Sequence, residues 1–491
     1  MKHNIKKIVG LLQYAIKNLN AANSFLFLAL LFGLIFALRT PLLWGADETT
    51  HFARAYQVSH GGIVSEKLKY PWGDYNFGGQ IPKSAYSLIM YVNQDVTEDY
   101  QQTKYNTKRV DNSEEYSKYA NKSMEGEKET YFFPNMAAYS PVAYMPTATG
   151  LAISEGLNIN VGMSIRIARI FNLIFYIVLV FMALRALKGL NISWLFLAAS
   201  LIPAALFSAS MISADGVANA FAILLSALVV KAWIYKKKLS KLETLLLAMA
   251  AICMPLVKLP YIFLSLVTLV VPAKNIPFPR ALFIKISIVT FAFIAFGVWA
   301  LLTPEVANSI RLIGTGERWQ SISVDQQKDF ILSHPVSFIE AFFRTLLLRD
   351  NNLLDGFFGQ FGFVFVTVPA TAIVTSIVSI MLAIQLVEKK IDINKKRLTY
   401  VISLLFVSIG GVFGTLYLTF TNVGAPIIDG VQGRYFLPFA PLVFVVIAVL
   451  LPRYIDKVKA KDVQKTGTLI TVLIFLGLSI TTVKFFYVLF G

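Results

Sequence analysis

Long apolar runs separated by short polar turns fill most of the chain. Runs at about 22–40, 166–184, 192–209, 215–234, 242–256, 259–272, 282–303, 360–386, 399–420, 434–451 and 467–489 read as membrane-crossing helices, since about 20 apolar residues cross a hydrocarbon core roughly 30 Å thick. The count is about eleven spans. Two polar stretches interrupt the pattern. The first, about 41–140, is too polar for a bilayer and too long for a turn. Its middle, about 93–130, is charged and reads as a mobile stretch or a small insert. The second is about 304–358, where Pro335 to Leu348 has the amphipathic spacing of a helix lying in the membrane interface. The run 141–157 is moderately apolar but carries Pro141, Pro146 and Gly150, and reads as a juxtamembrane or re-entrant helix. The expected fold is an all-α polytopic bundle. It divides into 1–40 (tail and first span), 41–165 (large outer loop), 166–303 (spans two to seven), 304–359 (second outer loop) and 360–491 (spans eight to eleven).

Composition agrees with a membrane bundle and excludes a soluble one. The 491 residues are 56% hydrophobic, above the roughly 45–50% of ordinary domains. Cys253 is the single cysteine, so no intrachain disulfide forms. The basic start (Lys2, Lys6, Lys7) precedes an apolar stretch with no small-x-small cleavage site, which reads as an uncleaved signal anchor.

The net charge of +17 would suggest nucleic acid in a soluble chain. Here Lys and Arg gather in short loops, and positive-inside sorting explains them. If 141–157 does not cross, the N-terminal lysines share one side with Arg185 and Lys188, Lys236 to Lys241, Lys274 and Arg280, Lys389 to Arg397, and Arg453 to Lys465. If it crosses, the later loops turn outward and the rule breaks. The expected orientation is therefore N-terminus cytoplasmic, C-terminus outside, with both long loops outside.

Candidate chemistry gathers on that outer face. Asp47 and Glu48 follow the first span at the water edge, with His51 and Arg54 after them. If the stretch is one helix, Asp47, His51 and Arg54 share a face. The acid pair reads either as a polar end to the span or as a base acting on a hydroxyl. Asp215 opens a span and reads equally as a helix cap or as a cavity-facing acid. Arg434 and Lys258 are cations at the outer edge, suited to a phosphate, with snorkelling to lipid headgroups as the plainer reading of Arg434. Lys83 and Arg166 are further outer cations, and Tyr139 and Tyr435 lie beside these motifs. His51 with Asp47 supplies two metal-ligand types where zinc takes three or four, so His51 reads as an ordinary histidine.

These motifs, in this order, resemble a bacterial family of predicted membrane proteins, the domain of unknown function 2142. The resemblance rests on Asp47-Glu48, Arg54 to Ser59, Tyr139 to Pro146, Arg166 to Asn172, Ser208 to Asp215, Lys258-Leu259-Pro260 and Gly430 to Pro438. That family in turn is similar to the GT-C superfamily of glycosyltransferases, which use polyprenyl-phosphate sugars on the outer side of the membrane. The similarity implies a GT-C-like bundle with juxtamembrane helices in its first outer loop. It implies Asp47 as the catalytic carboxylate, acting as base, with Glu48 beside it, Asp215 as the second outer-loop acid, and Arg434, Lys258, Lys83 and Arg166 around the donor phosphate. His51, Arg54, Tyr139 and Tyr435 would line the acceptor side. The implied partners are the bilayer, a lipid-linked sugar and a cell-envelope glycan acceptor. A divalent cation is the one cofactor left open, and no nucleic acid is expected. The chain departs from the superfamily in having Gly45-Ala46 where an aromatic or proline-rich tag often stands. The rival readings are a transporter or flippase of lipid-linked sugars, which would carry mid-span charges, and a non-catalytic envelope-assembly protein.

Overall fold

In a computed structural model of the chain, residues 20–70, 73, 75–93, 114–303, 305–306, 321–362, 366–388, 393–451 and 460–490 are described. The N-terminal lysines, most of the charged middle of the first outer loop and much of 304–320 lie outside them.

Helix α1 (Ala21–Arg39) starts where the Asn20 side chain accepts the Asn23 amide at 3.0 Å, and stops at Thr40, whose extended backbone suits the residue before Pro41. A short helix α2 (Glu48–Ser59) follows a tight turn. Strands β1 (Glu66–Lys69), β2 (Tyr75–Pro82) and β3 (Lys128–Phe132) form an antiparallel sheet in the order β1-β2-β3. Helix α3 (Lys83–Asn93) packs beside it, and α4 (Glu114–Ala120) packs on α3. Helix α5 (Met145–Gly156) has 12 residues, about 18 Å, too short to cross. It lies on α2 and on the long α6 (Val161–Ala186).

The expected run 192–209 is broken. Pro203 cannot donate to the ladder, so α7 (Ser193–Ser200) ends and α8 (Pro203–Ala209) begins as a separate piece. Helix α9 (Ala214–Trp233) is the centre of the bundle: Lys231 is its one residue outside the buried class. Helix α10 (Lys241–Val257) opens with a capping box between Ser240 and Glu243. The run 259–272 is a chain of short helical pieces between Leu259 and Val270. Helix α11 (Ala281–Leu302) turns Phe283, Phe291 and Leu301 outward.

In the second long loop, α12 (Val324–Ser333) meets α13 (Pro335–Leu348) at a bend of 106°. Helix α13 buries Phe338 and Phe342 against aromatic partners and leaves Val336, Ile339, Phe343 and Leu347 exposed, as an interfacial helix would. Helix α14 (Asp350–Phe358) and the short pair β4 (Gln360–Phe361) and β5 (Val366–Thr367) lead into α15 (Ala370–Leu386) and α16 (Lys395–Thr419). A 3₁₀ turn, Gly433–Phe439, runs into α17 (Ala440–Leu450), and α18 (Ala460–Phe490) ends the bundle.

Among the described residues seven helices are long and apolar enough to cross a membrane, against the expected count of about eleven. The difference falls in 192–209, 242–256, 259–272 and 360–386, where the apolar segments are broken or shorter.

Candidate functional site

The turn between α1 and α2 sets the site. Leu43 and Asp47 both take the left-handed backbone, with φ of 63° and 55°. Such angles are uncommon outside glycine, and aspartate tolerates them better than leucine. The helix begins after Asp47, so the expectation of one helix face shared by Asp47, His51 and Arg54 is replaced. Asp47 uses its carbonyl for the His51 amide at 3.0 Å, and its carboxylate makes no cap bond to α2. That carboxylate points out of the turn.

Glu48 points the other way. Fully buried, it accepts Arg169 Nε at 2.7 Å and Nη2 at 2.6 Å, the Gly45 amide at 2.7 Å and the Ile212 amide at 2.9 Å. Arg169 also donates to the carbonyls of Thr40 and Pro41, at 2.7 and 2.8 Å. The cation thus ends α1 in the way that favours positive charge at helix C-termini. One turn along α6, Asn172 Nδ2 donates to the carbonyls of Met211 and Ser213. Arg169, Glu48 and Asn172 therefore tie the Asp47 turn to the turn before α9.

At that second turn Ser213 is the cap, its hydroxyl accepting the Asp215 amide at 3.1 Å. This resolves the two readings of Asp215: its carboxylate is free of capping and faces two cations. It pairs with Lys258 Nζ, and its Oδ2 lies 3.3 Å from Arg434 Nε. Arg434 Nη2 reaches Asp47 Oδ2 at 2.7 Å. The result is an unbroken chain of alternating charge, Asp47–Arg434–Asp215–Lys258, drawn from four separate segments. The Lys258 ammonium also lies 4.4 Å from the Tyr435 ring centre and 5.6 Å from that of Tyr139. Three of the charged side chains are nearly buried, while Asp47 keeps about a third of its side chain exposed (34%).

His51 lines this cluster. Its Nδ1 is 2.7 Å from the Tyr144 hydroxyl and its ring stacks on Tyr139 at 6.1 Å. Burial pushes its pKa down to about 4, opposed by the charges of Asp47 and Asp215, so the ring is neutral near pH 7. Burial likewise pushes the Tyr139 hydroxyl up to about 12.

The other expected residues stand apart. Arg54 is buried among the carbonyls of Gly62, Ile63 and Tyr139 and the Gln57 amide, where burial lowers its pKa to about 10. It braces the loop. Lys83 is exposed and pairs with Glu127 at 2.6 Å, on the small sheet's side of the loop. Arg166 is half-buried and its Nε reaches the Leu38 carbonyl at 3.3 Å. Neither joins the charge chain. The arginine that matters structurally is Arg169, three residues on, within an apolar span where an unpaired charge would be costly.

Next to Arg434 lies a small cavity of about 20 Å³, room for roughly one water. Ser208, Ser213, Gln360 and Gln432 give it an uncharged polar lining. Gln432 Oε1 is buried with no hydrogen-bond partner among the described residues. Helix α14 closes it from above: a Cβ on Gly433 would lie 1.9 Å from the Leu353 carbonyl, so only glycine fits there. Arg349 binds Asp429 at 2.6 Å and fastens α14 to the same segment.

No three His, Cys, Asp or Glu side chains converge to hold a metal among the described residues. A guanidinium occupies the place between the two outer acids.

A family model for predicted membrane proteins, DUF2142, matches residues 30–443, which include every residue of the charge chain. No curated protein and no solved structure matches the chain.

Proposed function

The chain belongs to the DUF2142 family of predicted membrane proteins, and we propose that it is a membrane-embedded glycosyltransferase of GT-C type. On this reading it moves a sugar from a polyprenyl-phosphate donor to a hydroxyl of an extracytoplasmic cell-envelope glycan or lipid. The observation that carries the reading is the convergence of Asp47, Arg434, Asp215 and Lys258, distant in sequence, into one cluster that opens to water at Asp47. The neighbouring Glu48–Arg169 pair is by contrast enclosed at both ends.

The chemistry follows from the roles those groups can take. Asp47 accepts the proton of the acceptor hydroxyl. The freed oxygen attacks the anomeric carbon from the side opposite the phosphate. A carbon–oxygen bond forms there, and the bond from that carbon to the phosphate oxygen breaks with its electron pair leaving on the phosphate. The leaving group departs as a stable anion facing Arg434, so no strong acid is required. One displacement inverts the anomeric configuration. Asp215 holds Arg434 and Lys258 in place, and Glu48 with Arg169 positions the turn that carries Asp47. Positioning and phosphate electrostatics supply most of the rate.

An open apolar groove of about 490 Å³ between the start of α15 and the end of α18 suits the prenyl chain. Pro369, Ile480, Val483 and Tyr487 line it, with Lys484 as a cation at its side. Phe485, next to Lys484, packs on Phe361 and Phe207, and Phe207 lines the Arg434 cavity. An aromatic cluster of Phe207, Phe361 and Phe485 thus lies between the cavity and the helix that carries the groove. On this reading the face lies outside the cell, as the positive-inside rule predicts from the basic loops.

The test is glycan analysis of a deletion strain complemented with wild type or Asp47→Asn. Loss of a surface glycan in the variant, at equal protein level, supports the reading. Unchanged glycans remove Asp47 as the base. A non-catalytic assembly protein predicts that Asp47→Asn restores the glycan fully.

A further inference from the structure

Resting on that reading, we infer that the Asp47–Arg434 ion pair is a latch opened by the donor: a phosphate group takes Arg434, and the displaced Asp47 becomes free to act as base. The cluster is electrically balanced, with two carboxylates against two cations. Its net charge gives an incoming phosphate no general attraction, so binding at Arg434 proceeds by exchange with a carboxylate already there.

The geometry names which carboxylate leaves. Asp215 is buried, faces both Lys258 and Arg434, and its departure would strand Lys258 between the Tyr139 and Tyr435 rings. An uncompensated buried charge of that kind costs several kcal/mol. Asp47 has one hydrogen bond to Arg434, a third of its side chain exposed, and no cap bond to its own helix. Its turn is held by Glu48 and Arg169 regardless of where its carboxylate points. A phosphate offers several charged acceptor oxygens and matches the guanidinium fork better than a single carboxylate bond does.

The exchange also orders the reaction. With Arg434 bound, the Asp47 oxygen that would take the hydroxyl proton is held by the guanidinium. Once the phosphate arrives, the same carboxylate faces the acceptor hydroxyl unpaired. Activation of the acceptor therefore waits for the donor.

The test uses the purified full chain in detergent with farnesyl phosphate as probe. The first measurement is its affinity. Asp47→Asn, which cannot compete for the guanidinium as an anion, binds about tenfold more tightly than wild type; Arg434→Gln loses binding. The second is infrared difference spectroscopy of the wild type on adding farnesyl phosphate. It shows a shifted carboxylate band that Asp47→Asn lacks, a signal that a mere change in net charge does not produce. Asp47→Ala replaces the Asn variant should the latter fail to fold, as judged by its melting curve.

If farnesyl phosphate binds wild type without the Asp47 band, or Asp47→Asn binds no more tightly, the latch is wrong and the transferase reading stands on its own test. If no form binds the probe, latch and lipid-phosphate donor fall together. Tight binding and the band without any sugar transfer would leave the latch and overturn the transferase.

Discussion

One peptide bond separates two carboxylates with opposite surroundings. Glu48 is enclosed and satisfied by four donors, whereas Asp47 has a single charged partner and faces water. Glu48→Gln keeps the shape but leaves Arg169 as a buried, unpaired cation, and should destabilise the protein by about 3–5 kcal/mol. Thermal unfolding in detergent checks this, with Asp47→Asn melting close to wild type. His51 gives a pH-dependent counterpart. Its folded pKa is lowered to about 4 from an ordinary 6.5, so the unfolded chain binds the extra proton between those values. Its contribution is present in full above pH 6.5 and is lost as pH falls toward 4, by up to about 3 kcal/mol. Unfolding curves of wild type and His51→Phe should diverge in that window, with the flatter pH response in the variant. Asp47, Asp215, Lys258 and Arg434, which the structure brings together, stood out in the sequence because a charge at the edge of an apolar run is conspicuous. Arg169 was not singled out from Arg166, since one helical turn on the same span separates a half-buried arginine from a fully buried one and spacing alone does not say which faces inward.

At the scale of elements, apolar runs identified where helices lie better than how far each extends. The run 192–209 is apolar throughout because α7 and α8 are almost wholly enclosed by other helices, and the requirements of burial in protein and burial in lipid look alike in composition. Pro203 was the visible sign of the break. The small sheet β1-β2-β3 was not foreseen, as its strands are short and only β2 is largely buried. The packing of α14 onto the Gly433–Phe439 turn was likewise hidden, because close contact at Gly433 is a long-range fact. It yields a sharp expectation. Gly433→Ala places a methyl group against the Leu353 carbonyl, displaces Arg434, and should lower transfer at least about 100-fold while the bundle still folds. Equal activity in the alanine variant would mean that the position of Arg434 is not set by this contact.

For the whole molecule, the charge chain joins the α1–α2 turn, the start of α9, the end of α10 and the turn before α17, so the site exists only when the bundle is assembled. Positive-inside sorting predicts that this face lies outside the cell. In a Cys253→Ala background, a cysteine at Asn135 should react with a membrane-impermeant maleimide in intact cells and one at Lys237 should not; the reverse pattern would invert the topology. The proposed sugar transfer rests most heavily on Asp47 as its base. The direct measurement is made on the purified chain in proteoliposomes supplied with lipid-linked sugars and envelope glycan from its own cells. It follows release of polyprenyl phosphate together with sugar gained by the acceptor. Wild type should show both, and Asp47→Asn should slow both by about 100-fold or more with its fold intact. Transfer at the wild-type rate by Asp47→Asn would contradict the account.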